Sequence, residues 1–558
     1  MDEPDTSVHP PDAATDPALA DTSMAREGWA RIVAAVLGLV LAGLTIPGTD
    51  DFLLDDAWIH LAYAKSVRLG EGLSYNPGDW ETGFSSPAWV ALLAVWPTGV
   101  SPVLPVKLLG ALLHGLTAWL SAHVVLQLVR ERATVRRPLP ALSMALLAGV
   151  FAAATPALLQ GSTSGMEVPL TSAVILATVA AVLGRAPAAA AVTGCLAVWC
   201  RPEALGFVVA FGTVLAVLPP RTPAEAKDDS TADPLADSPA ETSAETPAET
   251  RAGVLGGSLR AAAVAAMAGA LLGLILWVAW CFSVSGYPWP NTQYVKGSGG
   301  SLAGLRYWVG EVLPGQPWLV SITGAVLAGL GLVHDLRSRR PELTALALAM
   351  LATSIAIAIS RPLHPGTGFY EARYFIPFFA PAAVLLPFGL IGRRPVAAWL
   401  LVLPVALVSG LAVPGVRTRM VDAASDTKTV HTAVARTVAE LPADAVVAVE
   451  GAGAIRVFAP RTMRVLDIVG LNDRQAAHLH FDRTAKMCHF VLAKPTHFAI
   501  PADWLGQFTP VFAMHVVARF DDPRYTQVHP PRALTVVVTE VDEIHPSWTA
   551  GCAERYGS

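Results

Sequence analysis

The chain has 558 residues, of which 53% are hydrophobic and only 15% charged, with a mean hydropathy of +0.48 and a formal net charge of −5. That charged content lies well below the roughly 25% usual in soluble domains, which excludes an ordinary soluble multidomain protein and makes lipid the solvent for most of the chain. No basic stripe is present, so nucleic acid is excluded as a partner.

Residues 1–28 are polar, Pro-rich and acidic without a positive start, which reads as a disordered cytoplasmic tail and not a signal peptide. A spanning helix needs about 20 mostly apolar residues. Candidates fall at 29–47, 104–129, 139–160, 168–184, 186–200, 204–219, 259–285, 317–334, 342–360, 374–392 and 396–413, about eleven in all. The stretch 87–97 is too short and reads as a juxtamembrane or re-entrant helix.

Positive residues favour the cytoplasmic side of a membrane. With the N-terminus cytoplasmic, alternation places Arg130, Arg132, Arg136 and Arg137, then Arg185, Arg221 and Lys227, Arg337, Arg339 and Arg340, and Arg393 and Arg394 inside. The acidic low-complexity segment 220–257 then forms a disordered cytoplasmic loop. Residues 414–558 lie outside. There the β-like runs AVVAVEG, FVLA, HFAIP and LTVVVTEV alternate with helical stretches such as TKTVHTAVARTVAEL, the pattern of a small α/β domain.

Of the cysteines, Cys195, Cys200 and Cys281 sit in or at apolar segments as small core residues. Cys488 and Cys552 lie in the outer domain, where a disulfide between them is allowed.

The residues capable of chemistry gather on the outer side. The first loop, 53–89, opens with Asp55 and Asp56, and a helix from about 56 to 69 aligns Asp56, His60 and Tyr63 on one face. Adjacent carboxylates raise each other's pKa and suit a general base; Asp at a helix start is equally a cap. Further along the same side lie Glu81, Glu167 in STSGMEV, and Arg201 and Glu203 in CRPEAL. Next come Asn291, Thr292, Tyr294 and Lys296 in YPWPNTQYVKG, then His364 and Glu371, Arg373 and Tyr374 in GFYEARYFIP. Charges at these depths are costly and mark functional candidates, although an Arg–Glu pair can satisfy itself locally. Lys296, Arg201 and Arg373 can bind a phosphate, the arginines through a bidentate fork. Two adjacent carboxylates can also hold a divalent cation, but no spaced ligand set supports a metal.

The first loop resembles that of the C-type (GT-C) membrane glycosyltransferases, in the group containing the mycobacterial terminal β-(1→2) arabinofuranosyltransferase. The matching features are Asp55-Asp56, Gly70 and Gly72, Asn76 and Gly78, Glu81, and Ser85-Ser86 before Trp89, followed in order by SGME (164–167), RPE (201–203), NTQYVKG (291–297), the Arg373 motif and LDIVGLND (466–473). The resemblance runs from about residue 29 to 475. It implies an all-α polytopic membrane protein of GT-C type, residues 29–413, with a small extracytoplasmic α/β domain, in a bacterial plasma membrane. It further implies inverting transfer of a sugar, arabinofuranose favoured over mannose or another hexose, from a polyprenyl-phosphate donor to a cell-envelope glycan. In that reading Asp55 or Asp56 is the base. Lys296, Arg201 and Arg373 hold the phosphate, while His60, Tyr63, Glu81, Glu167, Glu203, Asn291, Thr292, Tyr294 and Glu371 contact sugar or acceptor. The tail is shorter than that group's soluble domain, and His364 has no counterpart there. Asp467 and Asp473 of LDIVGLND either help bind the acceptor or form a strand and turn in which Asp473 caps a helix. A transporter or flippase of lipid-linked sugars is the rival, but it predicts related halves that the sequence lacks. A silent accessory subunit would not need the intact Asp55-Asp56 pair.

Overall fold

The computed structural model describes residues 17–97, 101–131, 141–218, 247–296, 341–360, 369–390, 395–479, 482–528 and 530–556, with the single positions 329 and 333. His364, most of the expected span at 317–334, and the basic residues between 132 and 137, at 221 and 227, from 337 to 340 and at 393 and 394 lie outside the described residues.

Helix α1 (Pro17–Thr45) leads to α2 (Asp55–Arg68), a small hairpin of β1 (Ser74–Asn76) and β2 (Asp79–Trp80), and the short α3 (Pro87–Val95). Next come α4 (Val103–Glu131), α5 (Ala141–Ala154), α6 (Pro156–Ser162), α7 (Val168–Leu183), α8 (Pro187–Cys200), α9 (Ala204–Val217), α10 (Pro247–Ser285) and α11 (Asn291–Lys296). The membrane portion closes with α12 (Pro341–Ser360), α13 (Phe369–Ala372), a run of 3-10 turns around α14 (Ala380–Leu385), and α15 (Pro395–Thr427).

Among the described residues, four helices are long and apolar enough to cross a membrane (Ala25–Thr45, Val103–Arg130, Ser258–Ser285 and Pro341–Ser360), or five if α5 and α6, bent by 60° at Pro156, form one span. Helices α7, α8 and α9 are apolar but have only 14–16 residues. At 1.5 Å per residue they cover roughly 21–24 Å of a hydrocarbon core about 30 Å thick. Residues 374–392 do not form one helix, because Pro377, Pro381 and Pro387 break them into short 3-10 and α pieces.

Three expected boundaries move. Helix α1 begins at Pro17, inside the stretch expected to be disordered; a proline at the first helical position and the Ala, Leu, Met, Arg and Glu that follow favour a helix despite the polarity. Helix α10 begins at Pro247, ahead of the expected end of the acidic loop at 257, for the same reason. The break expected at 413 is absent, since α15 runs through Pro414 and Gly415 to Thr427. A proline removes one backbone hydrogen bond without ending a helix that neighbours support. Close packing of α8 on α10 needs glycine: a Cβ on Gly269 would lie 2.0 Å from the Ala191 carbonyl oxygen.

After a π turn (Lys428–Thr432) and α16 (Ala433–Ala439), the C-terminal region holds β3 (Val446–Val449), α17 (Ala452–Phe458), β4 (Arg464–Asp467), α18 (Arg474–His478), α19 (Arg483–Ala493), β5 (His497–Pro501), α20 (Leu505–Phe508), β6 (Phe512–Tyr525), β7 (Arg532–Ile544) and α21 (Pro546–Tyr556). The sheet order is β4-β3-β5-β7-β6, parallel across the first three strands and antiparallel beyond. The FVLA run, read as a strand, is the end of α19. Asp482 caps that helix by accepting the Ala485 N–H at 2.9 Å, and an apolar run of four cannot by itself distinguish helix from strand. Cys488 and Cys552 form a disulfide with Cα atoms 5.1 Å apart, joining α19 to α21.

Candidate functional site

Leu54 is the residue before α2 and provides no side-chain cap, so both aspartates occupy the first turn. Their carboxylates then part company. Asp55 accepts the backbone N–H groups of Gly453 (2.8 Å) and Ala454 (2.9 Å) at the start of α17. It caps a helix, but one almost 400 residues away in sequence and not its own. Asp56 instead meets two cations: its Oδ2 accepts from Lys296 Nζ at 3.1 Å and from Arg373 Nη2 at 2.5 Å. Its Oδ1 takes no partner among the described residues. Burial alone would raise the Asp56 pKa, but Lys296 and Arg373 together hold it well below the usual carboxylate range. For Lys296 burial works downward, and Asp56 overcomes it and drives the ammonium upward.

Beside Asp56 lies a small cavity of about 30 Å³, lined by His60, Glu167, Arg201, Thr292, Lys296 and Arg373 among others. Arg201 pairs with Glu167 through Nη1 and with Glu203 through Nε at 3.4 Å. The arginine planes stack on tyrosines, Arg201 4.5 Å from the Tyr374 ring centre and Arg373 4.4 Å from that of Tyr370. Four polar atoms lining this cavity are buried and lack hydrogen-bond partners among the described residues: His60 Nε2, Glu167 Oε2, Arg201 Nη2 and Arg373 Nη1. His60 donates from Nδ1 to the Asp56 carbonyl at 2.9 Å, which leaves Nε2 an acceptor. Buried polar groups are rarely left unpaired, and four around one cavity mark a place for a polar ligand.

Two further spaces adjoin it. A groove of about 710 Å³, mostly apolar, shares Ser85 and Thr292 with the cavity and continues along Leu205, Leu274 and Ile357 of α9, α10 and α12. On the other side a chamber of about 260 Å³ shares Asp56, Ile59, Lys296 and Leu471 and reaches the C-terminal domain at His431, Glu450, Tyr525 and Gln527. Glu450 makes no side-chain hydrogen bond among the described residues; burial and the nearby carboxylates of Asp55 and Asp467 raise its pKa, with His431 opposing.

Other sequence candidates support this arrangement from outside the cavity. Asn291 donates to Glu81 at 2.8 Å, accepts from Thr82 at 3.0 Å, and so fixes the short helix α11 that carries Lys296. Burial raises Glu81 to about 8. Tyr63 donates to Asn472 at 3.0 Å and accepts from Gly83 at 3.2 Å, tying the first loop to the C-terminal domain. Glu203 and Tyr294 line the apolar groove, while Tyr63, Glu81, Asn291 and Glu371 line none of the three spaces. Asp473 caps α18 and accepts from His489, and Asp467 accepts from Val469, Gly470 and Asn472 to shape its own turn. Glu450, His431, Tyr525 and Gln527 carry no sequence signal as site residues, since only the sheet of the C-terminal domain brings them to Asp56. Asp55 and Asp56 meet different partners, and among the described residues no group of three His, Cys, Asp or Glu side chains is arranged to hold a metal.

Residues 420–542 match a family described as a domain of unknown function, DUF8728. No curated protein matches the chain by sequence. Among solved structures, ArnT from Cupriavidus metallidurans bound to undecaprenyl phosphate superposes with a TM-score of 0.55 at 13% identity, over 91% of this chain and 98% of that one. The chain has the GT-C fold. The apo form of the same ArnT gives a TM-score of 0.52 at 13% identity, over 91% of this chain and 98% of that one. The arabinofuranosyltransferase AftD from Mycobacteria gives 0.50 at 14%, with 92% of this chain matched to 40% of that one. Identities this low speak to the GT-C fold alone, and to no particular sugar or acceptor.

Proposed function

We propose that the protein is an inverting glycosyltransferase that uses a polyprenyl-phosphate sugar and transfers it to a glycan on the outer face of a bacterial plasma membrane. The observation that carries this reading is the row of three adjoining spaces, two of them lined by Asp56. The apolar groove suits a polyprenyl chain. The adjoining cavity offers Arg201, Arg373 and Lys296 to a phosphate, and Glu167 and His60 as acceptors for sugar hydroxyls. The chamber beyond Asp56 is open to an acceptor.

A phosphate leaving group needs cationic stabilisation more than it needs an acid. The acceptor hydroxyl needs one base, and Asp56, which lines both the cavity and the chamber, is that base. Held by two cations, Asp56 is by itself a weak base. A donor phosphate that shares Lys296 and Arg373 weakens that hold, so the carboxylate regains basicity as the donor binds. Asp55, committed to two backbone N–H groups, is a positioning residue that docks α17 against α2. ArnT is described with undecaprenyl phosphate bound, and AftD as an arabinofuranosyltransferase. Their fold supports the polyprenyl-phosphate donor class in general; arabinofuranose is favoured on the resemblance of the first loop, with mannose or another hexose as the alternative. The disulfide in the C-terminal domain fits an oxidising outer compartment.

The test is transfer by purified protein in detergent, from synthetic polyprenyl-phosphate arabinose and polyprenyl-phosphate mannose to short glycan acceptors. A new glycosidic linkage, absent in Asp56→Asn, is the expected result. No product from either donor, with labelled lipid crossing proteoliposomes instead, overturns the reading in favour of a flippase.

A further inference from the structure

A fourth space lies away from Asp56, on the C-terminal domain between α19, the turn leading into α20, and α21. It is an open groove of about 560 Å³. Phe490 and Phe508 form a buried floor, Trp504 and Trp548 stand half-buried in its walls, and Arg483, Lys486 and Gln507 lie at its rim. No carboxylate lines it. Neither tryptophan N–H has an acceptor among the described residues.

We propose that this groove is a glycan subsite that holds the acceptor some residues away from the hydroxyl that reacts. The proposal rests on the transferase reading and extends it to the acceptor. Flat aromatic walls pack against the C–H faces of sugar rings, and a rim of N–H donors meets their hydroxyls, a combination that a purely lipid or purely ionic ligand would not use. Position supports the chemistry. Val469 lines both this groove and the chamber that reaches Asp56, and Lys486 at the rim donates to the Val469 carbonyl at 3.3 Å. Val469 thus separates the groove from the chamber lined by Asp56, so a glycan held in the groove lies one residue's width from that chamber. The Cys488–Cys552 disulfide fixes the spacing of α19 and α21, which carry Met487 and Trp548, so the walls are held apart whether or not a ligand is present.

The acceptors for the test are methyl glycosides of one, two, four and six α-linked arabinofuranosyl or mannosyl units. They are used with the wild-type chain and with Trp504→Ala, and with Arg483→Ala as a second variant that leaves the aromatic packing intact. The quantity read is the ratio of acceptor KM for the hexamer to that for the monomer. We expect this ratio to rise at least about tenfold in Trp504→Ala and less in Arg483→Ala, with donor KM unchanged. A ratio equal to wild type in both variants, or a loss uniform across acceptor lengths, overturns the subsite. Direct binding of the hexamer to Asp56→Asn protein, followed by tryptophan fluorescence, separates the two claims. Binding that Trp504→Ala abolishes supports the subsite even if no donor yields product, and wild-type transfer without such binding counts against the subsite alone.

Discussion

Replacing each first-loop aspartate by asparagine separates two roles that adjacent carboxylates would otherwise confuse. In Asp56→Asn the side chain keeps its shape and an oxygen for Lys296 or Arg373, but it can no longer take a proton. Loss of a positioned base typically costs 10²–10⁴ in rate, about 2.7–5.5 kcal/mol of barrier. The same change leaves Arg373, only 3% exposed, and Lys296, 19% exposed, without their anion. Breaking a buried pair costs about 3–5 kcal/mol, and the partial exposure of Lys296 puts this case toward the lower end. In Asp55→Asn one of the two N–H groups at Gly453 and Ala454 loses its acceptor, which costs about 1–3 kcal/mol of stability but leaves proton transfer in place. The assay is transfer rate at saturating donor and acceptor, paired with thermal unfolding in detergent for each variant. The expected pattern is a rate loss of at least about a hundredfold in Asp56→Asn, and in Asp55→Asn a lowered Tm with a rate loss under about tenfold. An Asp55→Asn enzyme that keeps its Tm and loses rate as severely as Asp56→Asn would falsify the assignment of the base.

Further outcomes follow from neighbouring geometry. Glu81, only 3% exposed, has a pKa raised to about 8 in the folded protein against about 4.5 unfolded. Folding therefore takes up a proton between those values, and stability is highest below about pH 4.5 and declines as pH rises toward 8; Glu81→Gln should flatten that part of a Tm–pH curve. The Cys488–Cys552 bridge spans 64 residues, so Cys552→Ser should destabilise the C-terminal domain by about 4 kcal/mol, read as an earlier unfolding step that reducing agent reproduces in the wild type. A Cβ on Gly83 would sit 2.0 Å from Asn472 Oδ1 and 2.6 Å from the Tyr63 hydroxyl. Gly83→Ala should therefore lower stability by about 1–3 kcal/mol, and an unchanged Tm would show that this contact between the first loop and the C-terminal domain yields easily.

Much of the donor side was legible in the sequence. Asp56, Lys296, Arg201 and Arg373 are costly polar residues beside apolar segments, and the structure brings all four to one cavity although they come from four separate stretches. The acceptor side was not legible. Glu450 follows an ordinary strand, and nothing local distinguishes it until β3 is seen to end beside α2. The division of labour between Asp55 and Asp56 was hidden for a similar reason, because the partners of Asp55 lie at Gly453 and Ala454 and those of Asp56 at Lys296 and Arg373. Helix ends were misread at 413, where the last span was ended short of a helix that runs on to Thr427, and at Pro17 and Pro247, where polarity was taken as disorder. In each case local preference was overridden by packing or by helix-forming residues nearby.

The clasp between α2, the small hairpin and α17 has a consequence for inheritance and engineering. Asp55 holds Gly453 and Ala454, Lys65 donates to the Val457 carbonyl at 2.7 Å, Tyr75 donates to the Ala452 carbonyl at 2.6 Å, and Asn76 joins Val465 and Arg456. Residues 55–83 and the C-terminal domain thus form one module, although more than 300 residues separate them in the chain. A chimera that exchanges the C-terminal domain alone will carry a mismatched seam directly behind Asp56. One that exchanges both pieces together keeps the seam intact and can bring a new acceptor preference to the same donor site.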